Sequence, residues 1–448
     1  MLSAFSNSLK IPELRQRIFF TVALIFVCRL IAVIPTPGVD AATLSAITNR
    51  MVAQSGDIGF MGLLDLFSGG ALTAAAIGAL GIMPSISASI ILQLLTAVVP
   101  SLERLAREGD AGRQQIIQYG RYLTVGLCIV QGYGYAAVLL HPEKLGLQVL
   151  PGEAIVTMSP VPFLLLSILT MTTGTMLLMW LGEQITARGI GNGISLIITI
   201  SIVSRLPGAI DQTINMFREG SANVFMLVAM LGLAFFVIAG TVAVTQAQRK
   251  IQVQYAKRVV GRKTYGGQST YMPLRVNYSG VMPIIFAQAI LMFVERLLAW
   301  IPWTKSWAAG NMGYGQPVYL VVYSLMILFF SYFWVATQFH PVQIADDLKK
   351  YGGYVPGIRP GKPTAEFLDR VMTRITLAGA IFLTIIAVLP MILARSFHIP
   401  GMVAQFFGGT SLLIIVGVML DTMRQVESHL VTRHYDGFLR KGHLRSRR

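Results

Sequence analysis

The chain has 448 residues, 54% hydrophobic and 12% charged, with a formal net charge of +16. Soluble globular chains carry about 25% charged residues, so the composition excludes an ordinary water-soluble domain and places most of the chain in lipid. The two cysteines, Cys28 and Cys128, each lie inside an apolar run and read as small buried residues, pointing to neither a disulfide framework nor a metal site.

The N-terminal stretch "MLSAFSNSLKIPELRQR" is amphipathic and charged. It lacks a short apolar core followed by a small-residue cleavage site, so it is expected to be retained. A spanning helix needs about 20 apolar residues. Ten apolar runs predict membrane helices, at about 18–35, 76–99, 118–140, 161–182, 190–206, 222–246, 278–299, 317–338, 374–394 and 405–423. Before the second run, "FMGLLDLF" is too short to cross, and "SGG" then breaks it. A short re-entrant helix and an amphipathic surface helix both fit.

With the N-terminus taken as cytoplasmic, the inside segments hold 28 Lys/Arg and the outside segments 7. That asymmetry predicts both termini in the cytoplasm. Ten spans divide as five plus five near residue 215, giving halves 1–215 and 216–448. An odd number of spans per half inverts one half relative to the other, with a path at their interface.

Two long inside loops stand out. Residues 246–277 hold seven Lys/Arg and no Asp/Glu, and their "KIQVQY" alternation predicts a β-strand. Residues 339–374 contain "GGYVPGIRPGKP", a loop tip stiffened by Gly and Pro that presents Arg359. A basic, Tyr-dotted projection suits phosphate backbones and acidic partner surfaces.

Chemistry for catalysis is missing from the sequence. "PGIRPGKP" fails as a phosphate-binding loop, because Pro356 stands where the first Gly belongs and Pro363 follows Lys362. The six histidines are scattered, with no H-E-x-x-H. The chain is therefore not expected to be an enzyme or to hold a cofactor or metal. Ionisable residues inside spans are few, among them Arg29, Glu183 at a helix end and Asp421. Ion-coupled carriers need midplane carboxylates or histidines, so the alternative reading, an inverted-repeat secondary transporter of a small solute, is the weaker one.

Isoleucines recur beside Gly, Pro and Ser. Ile82 and Ile86 sit one turn apart in "LGIMPSISASII", where Pro84 is expected to loosen the helix. "GNGISLII" sets Ile194 and Ile198 likewise; Ile285 follows the Pro of "GVMPII", and Ile414 lies in "GGTSLLII". Spacing alone leaves ordinary packing and pore lining both open.

At these residues the sequence resembles the bacterial SecY family. The resemblance runs from "IPELRQR" to the basic tail. It rests on "FSGGAL", "ALGIMP", "SISASII", "EQIT", "GIGNGIS", "QVQYAKRVVGR", "YGGQSTYMPLRVN", "GVMPIIFA", "VPGIRPGKPT" and "FFGGTSLLI". The chain departs from the family's usual pattern at Ser85, often Tyr, and at His340, often Asn. "LTAAAIGALG" also lacks the charged residue common there.

The resemblance implies an all-α membrane protein. Its ten helices would form two inverted five-helix halves, a clamshell around an hourglass pore. A pore ring would map onto Ile82, Ile86, Ile194, Ile198, Ile285 and Ile414. A plug near 59–70 would include Phe60, Leu63, Leu64, Leu66 and Phe67. The lateral gate would include Ser87, Gln131 and Asn277. Docking residues would be Arg249, Lys250, Lys257, Arg258, Arg262, Lys263 and Arg359. The implied partners are the SecE and SecG subunits, the SecA motor, the ribosome, signal peptides, nascent chains and membrane lipids. The implied place is the plasma (inner) membrane.

Overall fold

The computed structural model describes residues 11–47, 65, 68–142, 155–218, 220, 224–255, 258–260, 263–265, 269–278, 280–313, 315–396, 403, 406 and 410–441. Each of the ten apolar runs carries a helix. They are α1 (Pro12–Ile31), α2 (Met83–Val98), α4 (Asp110–Leu140), α5 (Pro160–Arg188), α6 (Gly193–Val203), α8 (Val224–Gln246), α9 (Met282–Trp300), α11 (Pro317–Gln338), α13 (Lys362–Ser396) and α14 (Thr410–Lys441). Between them lie α3 (Pro100–Arg107), α7 (Leu206–Arg218), α10 (Pro302–Asn311) and α12 (Pro341–Lys350).

Among the described residues, six helical segments are long and apolar enough to cross a membrane. A seventh counts if Met83–Thr96 and Pro100–Ala106 form one bent span. Among the others, α1 carries Arg15, Arg17 and Arg29, and within α9 the stretch Met282–Leu291 is a shorter apolar helix.

Proline starts helices here more often than it disturbs them. Pro84 and Pro283 stand in the first turns of α2 and α9, as Pro12, Pro160, Pro317 and Pro341 do in theirs. A first-turn N–H has no intrahelical partner, so proline loses nothing there. The expectation that Pro84 loosens a helix interior is thus corrected. Residues 77–82 are turns, and Ile82 is the N-cap of α2. The one interior proline described is Pro390, in α13.

The chain forms two compact units. The first comprises Met1–Ala222, Pro400–Phe406 and Ile414–Arg448. Within it α4 packs on α5 and α2, and α5 also packs on α1 and α6. Its core includes Leu72, Ala75, Tyr135, Leu139, Phe163 and Met171. The Tyr135 hydroxyl donates to the Leu72 carbonyl, which ties the turn region before α2 to α4.

The second unit comprises Asn223–Ile399 and Phe407–Leu413. It carries a three-stranded sheet of order β4–β1–β5: β1 Gln248–Tyr255, β4 Ser269–Arg275 and β5 Gly353–Tyr354. A separate ribbon pairs β2 (Arg258–Val260) with β3 (Lys263–Tyr265). The alternation read in "KIQVQY" is the strand β1, with Ile251 and Val253 buried and Arg249, Lys250 and Gln252 exposed. Both neighbours of β1 are antiparallel; Ile251 faces Met272, and Gln254 faces both Ser269 and Tyr354.

Candidate pore and docking site

The six isoleucines are low in exposure. Ile82, Ile86, Ile198, Ile285 and Ile414 are buried, Ile414 completely, and Ile194 is half-buried. Ile82 and Ile86 occupy successive turns at the start of α2; Ile194 and Ile198 do so in α6, whose first turn is capped by Asn192 accepting from the Ser195 N–H at 3.3 Å. Ile285 belongs to the second unit and the other five to the first, so the closing of a six-membered ring is taken up as a proposal.

Of the three gate residues, Ser87 is half-buried on α2 and Gln131 is exposed on α4, two helices that pack together. Asn277 is buried, and its amide donates to the Gly280 carbonyl at 2.9 Å, bracing the turn that enters α9. The plug residues Phe60, Leu63, Leu64, Leu66 and Phe67 lie outside the described residues.

The C-terminal end of that segment is described, and it holds a polar cluster that the sequence reading missed. Asp65, 2% exposed, pairs with the Arg205 guanidinium. Its other carboxylate oxygen accepts from the Thr73 N–H at 2.9 Å, the Thr73 hydroxyl at 3.1 Å and the Ser68 hydroxyl at 3.3 Å. Arg205 also donates to the Thr73 hydroxyl oxygen at 2.8 Å. Arg29 donates to the Gly69 carbonyl at 3.1 Å, and Ser204 to the same oxygen at 3.2 Å. The "GG" of "SGG" is required twice over. Gly69 and Gly70 have φ of +67° and +98°, which other residues resist. A Cβ on Gly69 would also lie 2.5 Å from the Arg29 guanidinium and 2.8 Å from the Ser201 backbone. The available signal was the acid of "FMGLLDLF": a carboxylate in an apolar segment needs a named partner.

The basic residues divide by element. Arg249 and Lys250 are exposed on β1, opposite Leu274 and Pro273. Arg258 and Lys263 lie on the β2–β3 ribbon. Lys257 and Arg262 lie outside the described residues. Arg359 is exposed in a loop whose Gly357 and Gly361 adopt φ of +81° and +102°, and its carbonyl accepts from the Thr364 hydroxyl at 2.8 Å. β5 carries this loop onto β1, so the two polar loops share one sheet. An apolar layer backs the sheet: Ile251, Leu274, Val355, Leu368, Val371 and Met372.

Among charged residues in the helical runs, Glu183 pairs with Arg121 at 2.7 Å, and Asp421 with Arg424 at 3.7 Å. Both pairs are partly exposed, and such pairs contribute little stability.

A multi-pass helical membrane protein with a basic sheet platform between its spans is one with a known fold. A solved structure described as "The structure of a protein conducting channel" covers 93% of this chain and 92% of its own, with TM-score 0.62 at 17% identity. The fold class is thus that of a protein-conducting channel. The SecY family model matches residues 76–423. The chain is 46% identical to "Protein translocase subunit SecY" of Streptomyces galbus over 98% of this chain and 100% of the relative. It is 42% identical to the protein of that name from Chlamydia muridarum, over 98% of each. The chain belongs to the SecY family.

Proposed function

We propose that this chain is the central, pore-forming subunit of a Sec protein-conducting channel. It passes unfolded secretory proteins across the plasma (inner) membrane and releases membrane segments to lipid through a lateral gate. The observation that carries this reading is near end-to-end identity of 42–46% with translocase subunits. It favours the channel over a solute transporter.

The ten helices are read as two inverted halves, 1–215 and 216–448, with both termini cytoplasmic; the 28-to-7 Lys/Arg asymmetry supports this orientation. Ile82, Ile86, Ile194, Ile198, Ile285 and Ile414 form the constriction. Branched aliphatic side chains offer water and ions no hydrogen bonds, so a closed ring dewets and holds ions back. They also bind no particular polypeptide strongly. Residues 59–70 plug the pore, and Ser87, Gln131 and Asn277 line the seam that signal segments part. The chain itself carries no energy-yielding chemistry in this reading. Arg249, Lys250, Lys257, Arg258, Arg262, Lys263 and Arg359 dock the SecA motor and the ribosome, while SecE and SecG complete the assembly.

The test is reconstitution with SecE and SecG in vesicles, supplied with SecA, ATP and a secretory precursor. The precursor should become protected from external protease. In planar bilayers, Ile86→Asn or Ile414→Asn should raise ion leak. No protected precursor from an inserted complex would overturn the channel reading. Parental conductance in both Asn variants would overturn the ring.

A further inference from the structure

The loop joining α5 to α6 stands apart from the residues used so far. It reads "GIGNG", residues 189–193. Three of its backbone N–H groups go to side chains of three different helices. Ile190 donates to the Thr21 hydroxyl of α1 at 3.1 Å, Gly191 to the Gln425 side-chain oxygen of α14 at 2.8 Å, and Gly193 to the Thr186 hydroxyl of α5 at 2.8 Å. Ile190 and Gly191 are buried, so their N–H groups depend on these acceptors in place of water. Both hydroxyls are themselves held: Thr21 donates to the Arg17 carbonyl and Thr186 to the Gly182 carbonyl, each at 2.9 Å. The Ile190 side chain clusters with Leu14 of α1 and Val426 of α14. A Cβ on Gly191 would lie 3.2 Å from the Thr422 hydroxyl, so α14 meets this loop at backbone range. The loop runs directly into α6, where Ile194 and Ile198 occupy the first two turns. Ile414 lies on α14, about three turns from Gln425. Two helices that bear isoleucines of the ring are thus tied to each other through the Gln425 amide, all within the first unit.

We propose that Gln425 and Thr21 are positioning residues for the pore. They clasp the 189–193 loop and so hold α6, with Ile194 and Ile198, at a fixed depth beside α14, with Ile414. Each acts on the ring through the backbone it holds. When the Gly191 N–H loses its acceptor, a buried donor is left unsatisfied; the loop shifts to reach water, and the start of α6 shifts with it. The consequence for conductance rests on the ring reading above, whereas the clasp itself rests on the loop's own bonds.

The test uses the complex reconstituted with SecE and SecG, with Cys28 and Cys128 replaced by alanine. Spin labels are attached through Val203→Cys on α6 and Glu427→Cys on α14, both exposed positions. Gln425→Ala and Thr21→Val should each quicken amide exchange across 189–193 roughly three- to tenfold, the worth of one hydrogen bond. Each should also widen the distance distribution between the two labels and raise closed-channel conductance in planar bilayers. Gln425→Glu and Thr21→Ser keep an acceptor and should stay at parental values in all three measurements. Parental exchange, or parental label distances, in both Gln425→Ala and Thr21→Val would overturn the clasp whatever the conductance. The same losses in Gln425→Glu and Thr21→Ser would overturn its hydrogen-bonded basis. Altered exchange and distances with parental conductance would overturn the link to the pore if Ile414→Asn leaks in the same bilayers. If Ile414→Asn is silent too, it is the ring reading that fails, and the clasp stands on exchange and distance.

Discussion

Two regions of this molecule gather arginines, and they treat them in opposite ways. Around the glycine turn, Arg29 and Arg205 donate to a backbone carbonyl, a hydroxyl and a carboxylate, and Asp65 is almost fully covered. On the sheet platform, Arg249, Lys250 and Arg359 stand exposed above an apolar underside. The contrast shows that charge serves two purposes here. Where water is excluded, a charge survives only in a set of mutual partners, and it holds structure together. Where water is present, the platform owes its fold to Ile251, Leu368 and Met372, and its charges stand in solvent.

The strongest break of this contrast is Arg205→Met. It leaves the Asp65 carboxylate uncompensated and should destabilise the first unit by about 3 kcal/mol or more. Arg249→Met on the platform should stay within about 0.5 kcal/mol. Thermal unfolding of both variants in the same detergent checks this; equal melting temperatures would erase the distinction.

Next in size is Leu368→Ala, which removes a fully buried side chain beneath the sheet. A loss of about 2–4 kcal/mol is expected, for lost burial and the cavity left behind. Denaturant titration of the second unit, followed by a fluorophore attached to β4, would measure it. A loss under about 1 kcal/mol would mean that the platform does not rest on this layer.

Arg359→Glu sharpens the other side. Stability and closed-state conductance should stay at parental values, while motor-driven translocation into vesicles collapses. Arg359→Lys should restore it only in part, because a guanidinium grips a carboxylate or phosphate through two bonds and an ammonium does not. Normal translocation by the Glu variant would reduce Arg359 to a charge that merely fixes orientation.

The smallest effect is expected at Asp40, a half-buried acid whose described side-chain contacts are with hydroxyl and N–H donors. It accepts from the Thr43 hydroxyl at 2.7 Å and from the Ala42 and Thr43 N–H groups at 3.0 and 3.4 Å. The Thr43 hydroxyl first, then these N–H groups, hold its carboxyl below the usual carboxylate range. This set of bonds to the carboxylate is therefore fully present above about pH 4, the unfolded value, and is lost as pH falls through the folded one. Amide exchange in 41–47 should quicken on acidification in the parent and be less pH-dependent in Asp40→Asn.

Local pattern was readable from the sequence, and long-range pairing was not. All ten apolar runs became helices, and the "KIQVQY" alternation became β1, because periodicity and apolar length are properties of a single stretch. Pro84 falls at the helix start, not in its interior, because the apolar run begins before the helix does: 77–82 forms turns of equally apolar residues. The strand β5 is two residues long and has no alternation to display, so only its partner reveals it. Asp65 and Arg205 are far apart in sequence, and each is unremarked in its own neighbourhood. Likewise the bond from Asn277 to the Gly280 carbonyl is a turn contact that only coordinates disclose.

The short strand β5 also imposes a schedule. Tyr354 and Gln254, joined side chain to side chain at 3.2 Å, are 100 residues apart. The hairpin of β1 and β4 can close as soon as residue 275 has left the ribosome. Its third strand must wait for α9, α10, α11 and α12 to be made. At about 5–20 residues per second, the stretch from Arg275 to Tyr354 takes roughly 4–16 seconds. For that interval the newborn chain has its first basic loop folded and one sheet edge open, and the three-stranded sheet is completed only after the helices between the two loops have been synthesised.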